Sequence, residues 1–166
     1  MYQRILVPID GSKTSNCGLE EAVKLARLTG AELRLVHVVD QLTFATGFEP
    51  YGVYSGDLIP LMRETGEKIL AKAKKYVLEQ GIRVEGKLFE DLASRVSDLV
   101  IEEAKSWGAD LIVIGTHGRR GISRLMLGSD AEHIVRMASI PVLLIRSTDV
   151  QCDSKATMEG SEKRSV

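Results

Sequence analysis

Residues 109–146 read ADLIVIGTHGRRGISRLMLGSDAEHIVRMASIPVLLIR. Leu111 to Ile114 is a short apolar run closed by Gly115, the pattern of a strand buried on both faces of a parallel sheet. Glycines follow at once. Gly115, Gly118 and Gly121 keep a loop clear of side chains, and Gly128 and Ser129 lead into a helical pattern in which Ala131, Ile134, Val135 and Ala138 recur at i, i+3, i+4 and i+7. Ser129 and Glu132 have the spacing of a capping box, so Ser129 is expected at the N-cap. A strand, a glycine loop and a helix N-terminus form the arrangement in which backbone N–H groups and a helix dipole hold a phosphate. Capping alone would account for Ser129 equally well. Pro141 stops the helix, and Val142 to Ile145 is a last apolar strand.

The whole sequence narrows the classes of function. Its 166 residues suit one domain with a sizeable core. Lys and Arg number 22 against 23 Asp and Glu, and the net charge of −1 offers no global attraction to nucleic acid or to an anionic membrane. No apolar run approaches the roughly 20 residues of a membrane span, and the N-terminal residues lack a signal h-region, so neither nucleic acid nor membrane insertion is expected and the protein is placed in the cytoplasm. The two cysteines, Cys17 and Cys152, have no zinc or thioredoxin spacing and are expected as free thiols.

From the N-terminus onward, Ile5 to Ile9 is a nearly continuous apolar strand, and Asp10-Gly11-Ser12 turns it into a helix over about Ser15 to Leu28 with Gly30 just past its end. Asp10 thus stands at the strand's carboxyl end, the edge where open α/β sheets bind ligands, although an Asp there also shapes turns unaided. Leu33 to Val39 is the second strand. His37 within it has no His, Cys or carboxylate at ligand spacing and reads as a satisfied core or edge residue. From Gln41 to about Gly56 the periodicity fails, and Phe44, Phe48, Tyr51 and Tyr54 either cover a ligand or a neighbour or pack on the domain itself. Leu58 opens a long helix with Pro60 in its first turn and an apolar repeat of Met62, Gly66, Ile69, Ala73 and Val77. The Lys72, Lys74, Lys75 run is a solvated face. Val84 to Phe89 suits an edge strand, and Ser94 to Trp107 a helix with Val96, Leu99, Val100 and Ala104 inward and Trp107 packing. Residues 1–146 form the domain, and the polar tail 147–166 is expected to be disordered.

This alternation of strands and helices predicts an α/β fold: a single-domain, doubly wound, five-stranded parallel sheet with helices on both faces, Rossmann-like. Gly115, Gly118, Gly128 and Ser129, with two and then nine residues between the glycines, resemble the nucleotide-binding signature of the universal stress protein family, in its ATP-binding subgroup. RILVPIDGS (4–12) is similar to the family's opening strand and LVHVV (35–39) to its second, so the likeness covers roughly residues 2 to 146. The resemblance implies strand order 3-2-1-4-5, which sets Pro8 and Asp10 beside the loop that starts at Gly115. It implies an adenine nucleotide, ATP or AMP, with Val38 and Pro8 against the base and Asp10 near the ribose and any accompanying Mg²⁺. Gly115, Thr116, His117, Gly118, Arg119, Arg120 and Gly121 would wrap the phosphates, and Gly128, Ser129, Asp130 and Ala131 would present the helix N-terminus to them. Asp130 departs from the small neutral residue common in the family. A homodimer through Val142 to Ile145 is also implied, and no helix follows that strand to cover its edge.

Two classes of function compete. One is a nucleotide-binding stress-response protein acting through binding and partner contacts; the other is a slow ATPase or phosphotransfer protein using the same site. The sequence lacks G-x-x-x-x-G-K-[ST], so no Lys is placed for the β and γ phosphates, and no base or nucleophile stands beside His117 in sequence; no catalytic residue is assigned. A third reading, a dimerisation module without nucleotide, is disfavoured because the glycines have no other evident use.

Overall fold

The computed structural model describes residues 1–39, 55–91, 94–116 and 127–146, with the side groups of 55–58 left aside. Strand β1 (Arg4–Pro8) leads through Ser12 into helix α1 (Lys13–Thr29). The Ser12 hydroxyl accepts from the Ser15 N–H at 3.2 Å, and Gly30, at φ 75°, ends the helix by donating its N–H to the Ala26 carbonyl. Then come β2 (Glu32–Val38), α2 (Ser55–Glu79), β3 (Val84–Phe89), α3 (Val96–Trp107), β4 (Leu111–Gly115), α4 (Ser129–Met137) and β5 (Val142–Ile145).

All four pairings are parallel and the order is β3-β2-β1-β4-β5, as expected. Residues along each strand alternate between two cores. Ile5, Val7, Leu33, Leu35 and Val113 pack beneath α1 and α2, against Leu19, Val23, Ala73 and Val77. Leu6, Val36, Ile112 and Ile114 pack beneath α3 and α4, against Val100, Ala104, Ala131 and Ile134. The strands read as unbroken apolar runs because both faces are covered. Winding reverses between β1 and β4, which opens a crevice at their carboxyl ends.

A buried carboxylate stands at the edge of the second core. Glu103 of α3 is 2% exposed and accepts from Arg34 Nη1 at 2.6 Å and from Lys87 Nζ. Arg34 also pairs with Glu85, holding that carboxyl below its ordinary range, and lies 4.6 Å from the centroid of the Trp107 ring. Trp107 is thus the packing residue expected of it, with a guanidinium as the partner.

Several local expectations are corrected. Helix α2 begins at Ser55, so Pro60 lies inside the helix and not in its first turn; a proline there has no N–H for the Gly56 carbonyl one turn back. Val135, part of the helical period, is 45% exposed, since α4 runs along the margin of the sheet and turns only Ala131 and Ile134 fully inward. Cys17 is disulfide-bonded and not a free thiol; the other cysteine, Cys152, lies outside the described residues. No helix among the described residues is long and apolar enough to cross a membrane.

Candidate functional site

The crevice is built from three backbone joints. The first follows β1, where Ile9 donates its N–H to the Val36 carbonyl at 2.8 Å, one ladder bond past the strand's end. The backbone then turns: Asp10 Oδ1 accepts from the Ser12 N–H at 2.9 Å, and the Asp10 N–H points to Ser15 Oγ at 3.4 Å. The local reading of Asp10 as a turn former therefore holds. The same bonds hold its carboxylate at the sheet's carboxyl edge, half-buried at the mouth of the crevice.

The second joint is the contact of α1 with β4. A Cβ on Gly115 would lie 2.9 Å from the Thr14 carbonyl carbon, its oxygen and Cγ2, and one on Gly18 would lie 3.5 Å from the Gly115 nitrogen. Backbone meets backbone here, so Gly115 is required for packing whether or not a phosphate ever arrives. This corrects the sequence argument that the glycines have no use besides a ligand. Thr14, a buried residue of the first helical turn, was not singled out from the sequence. Its role becomes legible only once α1 is known to lie on β4.

The third joint closes the glycine loop at its base. Thr116 donates its N–H to the Ile145 carbonyl at 2.8 Å, and Gly128 donates its N–H back to the Thr116 carbonyl at 2.9 Å. Helix α4 therefore starts beside the end of β4. Its N-cap is Gly128 (φ −63°, ψ 147°), which offers no side group to cap it. Ser129 is thus the first helical residue, not the N-cap, and no capping box forms; Glu132 turns outward to Arg136 at 2.7 Å. A glycine N-cap supplies no side-chain hydrogen bond of its own to the first N–H groups of α4. Asp130 and Glu132 both stand in the first turn.

Pro8, Asp10, Val38, Gly115, Thr116, Gly128, Ser129, Asp130 and Ala131 thus come from four elements and their joints to one edge of the sheet. Val38, half-buried, packs on the α3 and α4 side, as does Leu127. His117, Gly118, Arg119, Arg120 and Gly121 lie outside the described residues. Among the described residues no three of His, Cys, Asp and Glu cluster to hold a metal ion.

The model of the universal stress protein family matches residues 1–146. A universal stress protein of Methanocaldococcus jannaschii is 35% identical over 147 residues, 88% of this protein and 83% of that one. Of solved structures, a protein from this family from Burkholderia pseudomallei is 33% identical, with a TM-score of 0.68 over 87% of this protein and 96% of that one. A universal stress protein of Archaeoglobus fulgidus in complex with dAMP is 25% identical, with a TM-score of 0.61 over 87% of this protein and 98% of that one.

The Thr14 contact predicts that Gly115→Ala destabilises the fold itself. The added methyl meets backbone atoms, so the protein should lose ~1 to 3 kcal/mol in urea unfolding. Thr14→Ser, which removes Cγ2 but leaves the backbone carbonyl in place, should recover only part of the loss. Unchanged stability of Gly115→Ala would contradict the contact.

Proposed function

The chain belongs to the universal stress protein family, and on that premise we propose that it binds an adenine nucleotide, ATP or AMP, in the crevice between β1 and β4. The observation that carries this reading is the base of the glycine loop. The Gly128 N–H on Thr116 brings the glycine-capped start of α4 to the carboxyl end of β4, across the reversal of winding from the Asp10 turn. Helix N–H groups suit the phosphates, the Asp10 carboxylate suits a ribose hydroxyl, and Val38 with Pro8 offers apolar contact to the base. The complex of the Archaeoglobus relative with dAMP supports the same ligand class. In this reading Gly115 to Gly121 wrap the phosphates, which His117, Arg119 and Arg120 also touch, and the protein acts through binding and partner contacts.

Calorimetry with ATP and AMP tests it. Gly118→Val should obstruct backbone approach to phosphate and remove two charge-assisted hydrogen bonds of ~1.5 to 3 kcal/mol each, which is about 100-fold or more in affinity. ATP affinity unchanged by that substitution would refute the loop as the site.

Asp130 governs the cation in the same proposal. As the second residue of α4 its carboxylate stabilises the helix by ~0.3 to 1 kcal/mol. A phosphate about 5 Å away repels it by ~3 kcal/mol at an effective dielectric near 20, so a triphosphate needs Mg²⁺ where a monophosphate does not. Such an ion arrives with the nucleotide, near Asp10. Asp130→Val should raise ATP affinity in EDTA and leave AMP affinity nearly unchanged. Titrations of both proteins with and without Mg²⁺ decide the matter, and equal ATP affinity in all four would overturn it.

We also propose a homodimer through Val142 to Ile145. This strand ends the sheet, all four of its residues are only half-buried, and Val135 and the 57%-exposed Met137 stand on the neighbouring helix. Val142→Lys combined with Leu144→Lys should give a monomer by light scattering. An unmutated protein that is monomeric at micromolar concentration would count against the interface.

A further inference from the structure

His37 is 7% exposed, and its role goes beyond filling the core. It lies on β2 next to Val38, and it follows Leu33 and Leu35 on the face that packs against α1 and α2. Its Nδ1 is 2.7 Å from the Ile9 carbonyl oxygen. A carbonyl only accepts, so Nδ1 carries the proton and the tautomer is set.

The far edge of the ring is fixed as tightly. A Cβ on Gly66 of α2 would fall 2.7 Å from His37 Cδ2, 3.1 Å from Nε2 and 2.9 Å from Leu88 Cδ1. Helix α2 therefore lays bare backbone against the imidazole, and a larger residue at 66 would force the ring or Leu88 to shift. The ring is clamped between that helix and the end of β1.

The carbonyl it holds belongs to the peptide that joins Ile9 to Asp10. The Ile9 N–H is already held by Val36, so the imidazole fixes the other end of the residue and, with it, the plane of the next peptide. At the other end of that same peptide the Asp10 N–H points to Ser15 Oγ, and beyond it the Ser12 N–H steadies Oδ1. We propose that His37 is a positioning residue for the nucleotide: its Nδ1–H orients the Ile9–Asp10 peptide so that the Asp10 carboxylate meets the ribose hydroxyls. This rests on the reading that Asp10 accepts from the ribose. It adds that an imidazole on the neighbouring strand, which touches no ligand atom, sets that contact.

The test compares AMP with 2′,3′-dideoxy-AMP, which has no ribose hydroxyl to give, on the unmutated protein and on His37→Leu and His37→Asn. Asparagine places an amide nitrogen where Nδ1 stands, whereas leucine fills space without a donor. The unmutated protein should bind AMP more tightly than the dideoxy compound. His37→Leu should weaken AMP about tenfold, the scale of one hydrogen bond, and leave the dideoxy compound within about twofold. His37→Asn should restore AMP affinity. Should the leucine variant fail to fold by circular dichroism, His37→Gln, whose amide nitrogen takes the place of Nε2, serves as the donor-less variant at Nδ1. Equal losses for both ligands, or no recovery with asparagine, would overturn the positioning role alone. Equal affinity of the unmutated protein for the two ligands, or no binding of AMP, would overturn it together with the assignment of Asp10.

Discussion

The contact of Thr14 with Gly115 is the constraint on which the candidate site depends. Helix α1 settles onto β4 until backbone meets backbone, and only a residue without a Cβ allows it. That depth fixes how far the Asp10 turn stands from the start of the glycine loop, because Asp10 and Thr14 flank one tight helix entry held by Ser12 and Ser15. A wider spacing would separate the two walls of the crevice. The sheet supplies the reversal of winding, and this packing sets the width of the gap it creates.

Much of this was legible in the sequence for a simple reason. A parallel sheet covered on both faces demands uninterrupted apolar strands, and Ile5 to Ile9, Leu33 to Val39 and Leu111 to Ile114 meet that demand with helical periods between them. Strand order is different, since no local pattern encodes it; it came from the family likeness. Of the site, Asp10 and the Gly115, Gly128, Ser129 spacing stood out because they break the apolar runs at strand ends.

What stayed hidden depends on tertiary partners. Ser129 and Glu132 spell a capping box, yet the Gly128 bond to Thr116 sets the helix start one residue earlier than that motif requires. Val135 fits the helical period, but a helix at a sheet margin has less to bury against. Pro60 obeys a local rule for helix starts that α2 overrides by beginning earlier. His37 and Gly66 are 29 residues apart in sequence and meet through one close approach, which neither residue signals alone.

The buried Glu103 bears on how copies of the sheet can associate. With Arg34 and Lys87 it ties charged groups of β2 and β3 to one carboxylate on α3, so a slip of β3 by one residue would turn Lys87 and Glu85 to the opposite face and strand them. The margin formed by β3 is thereby locked in register and lined with charge, a poor template for a further strand, whereas the margin formed by β5 is apolar. A ribbon with two receptive edges would add molecules without limit. Among the described residues one margin of this sheet is charged and locked in register and the other is neither, so the cluster at Glu103 disfavours stacking of copies through both margins in turn.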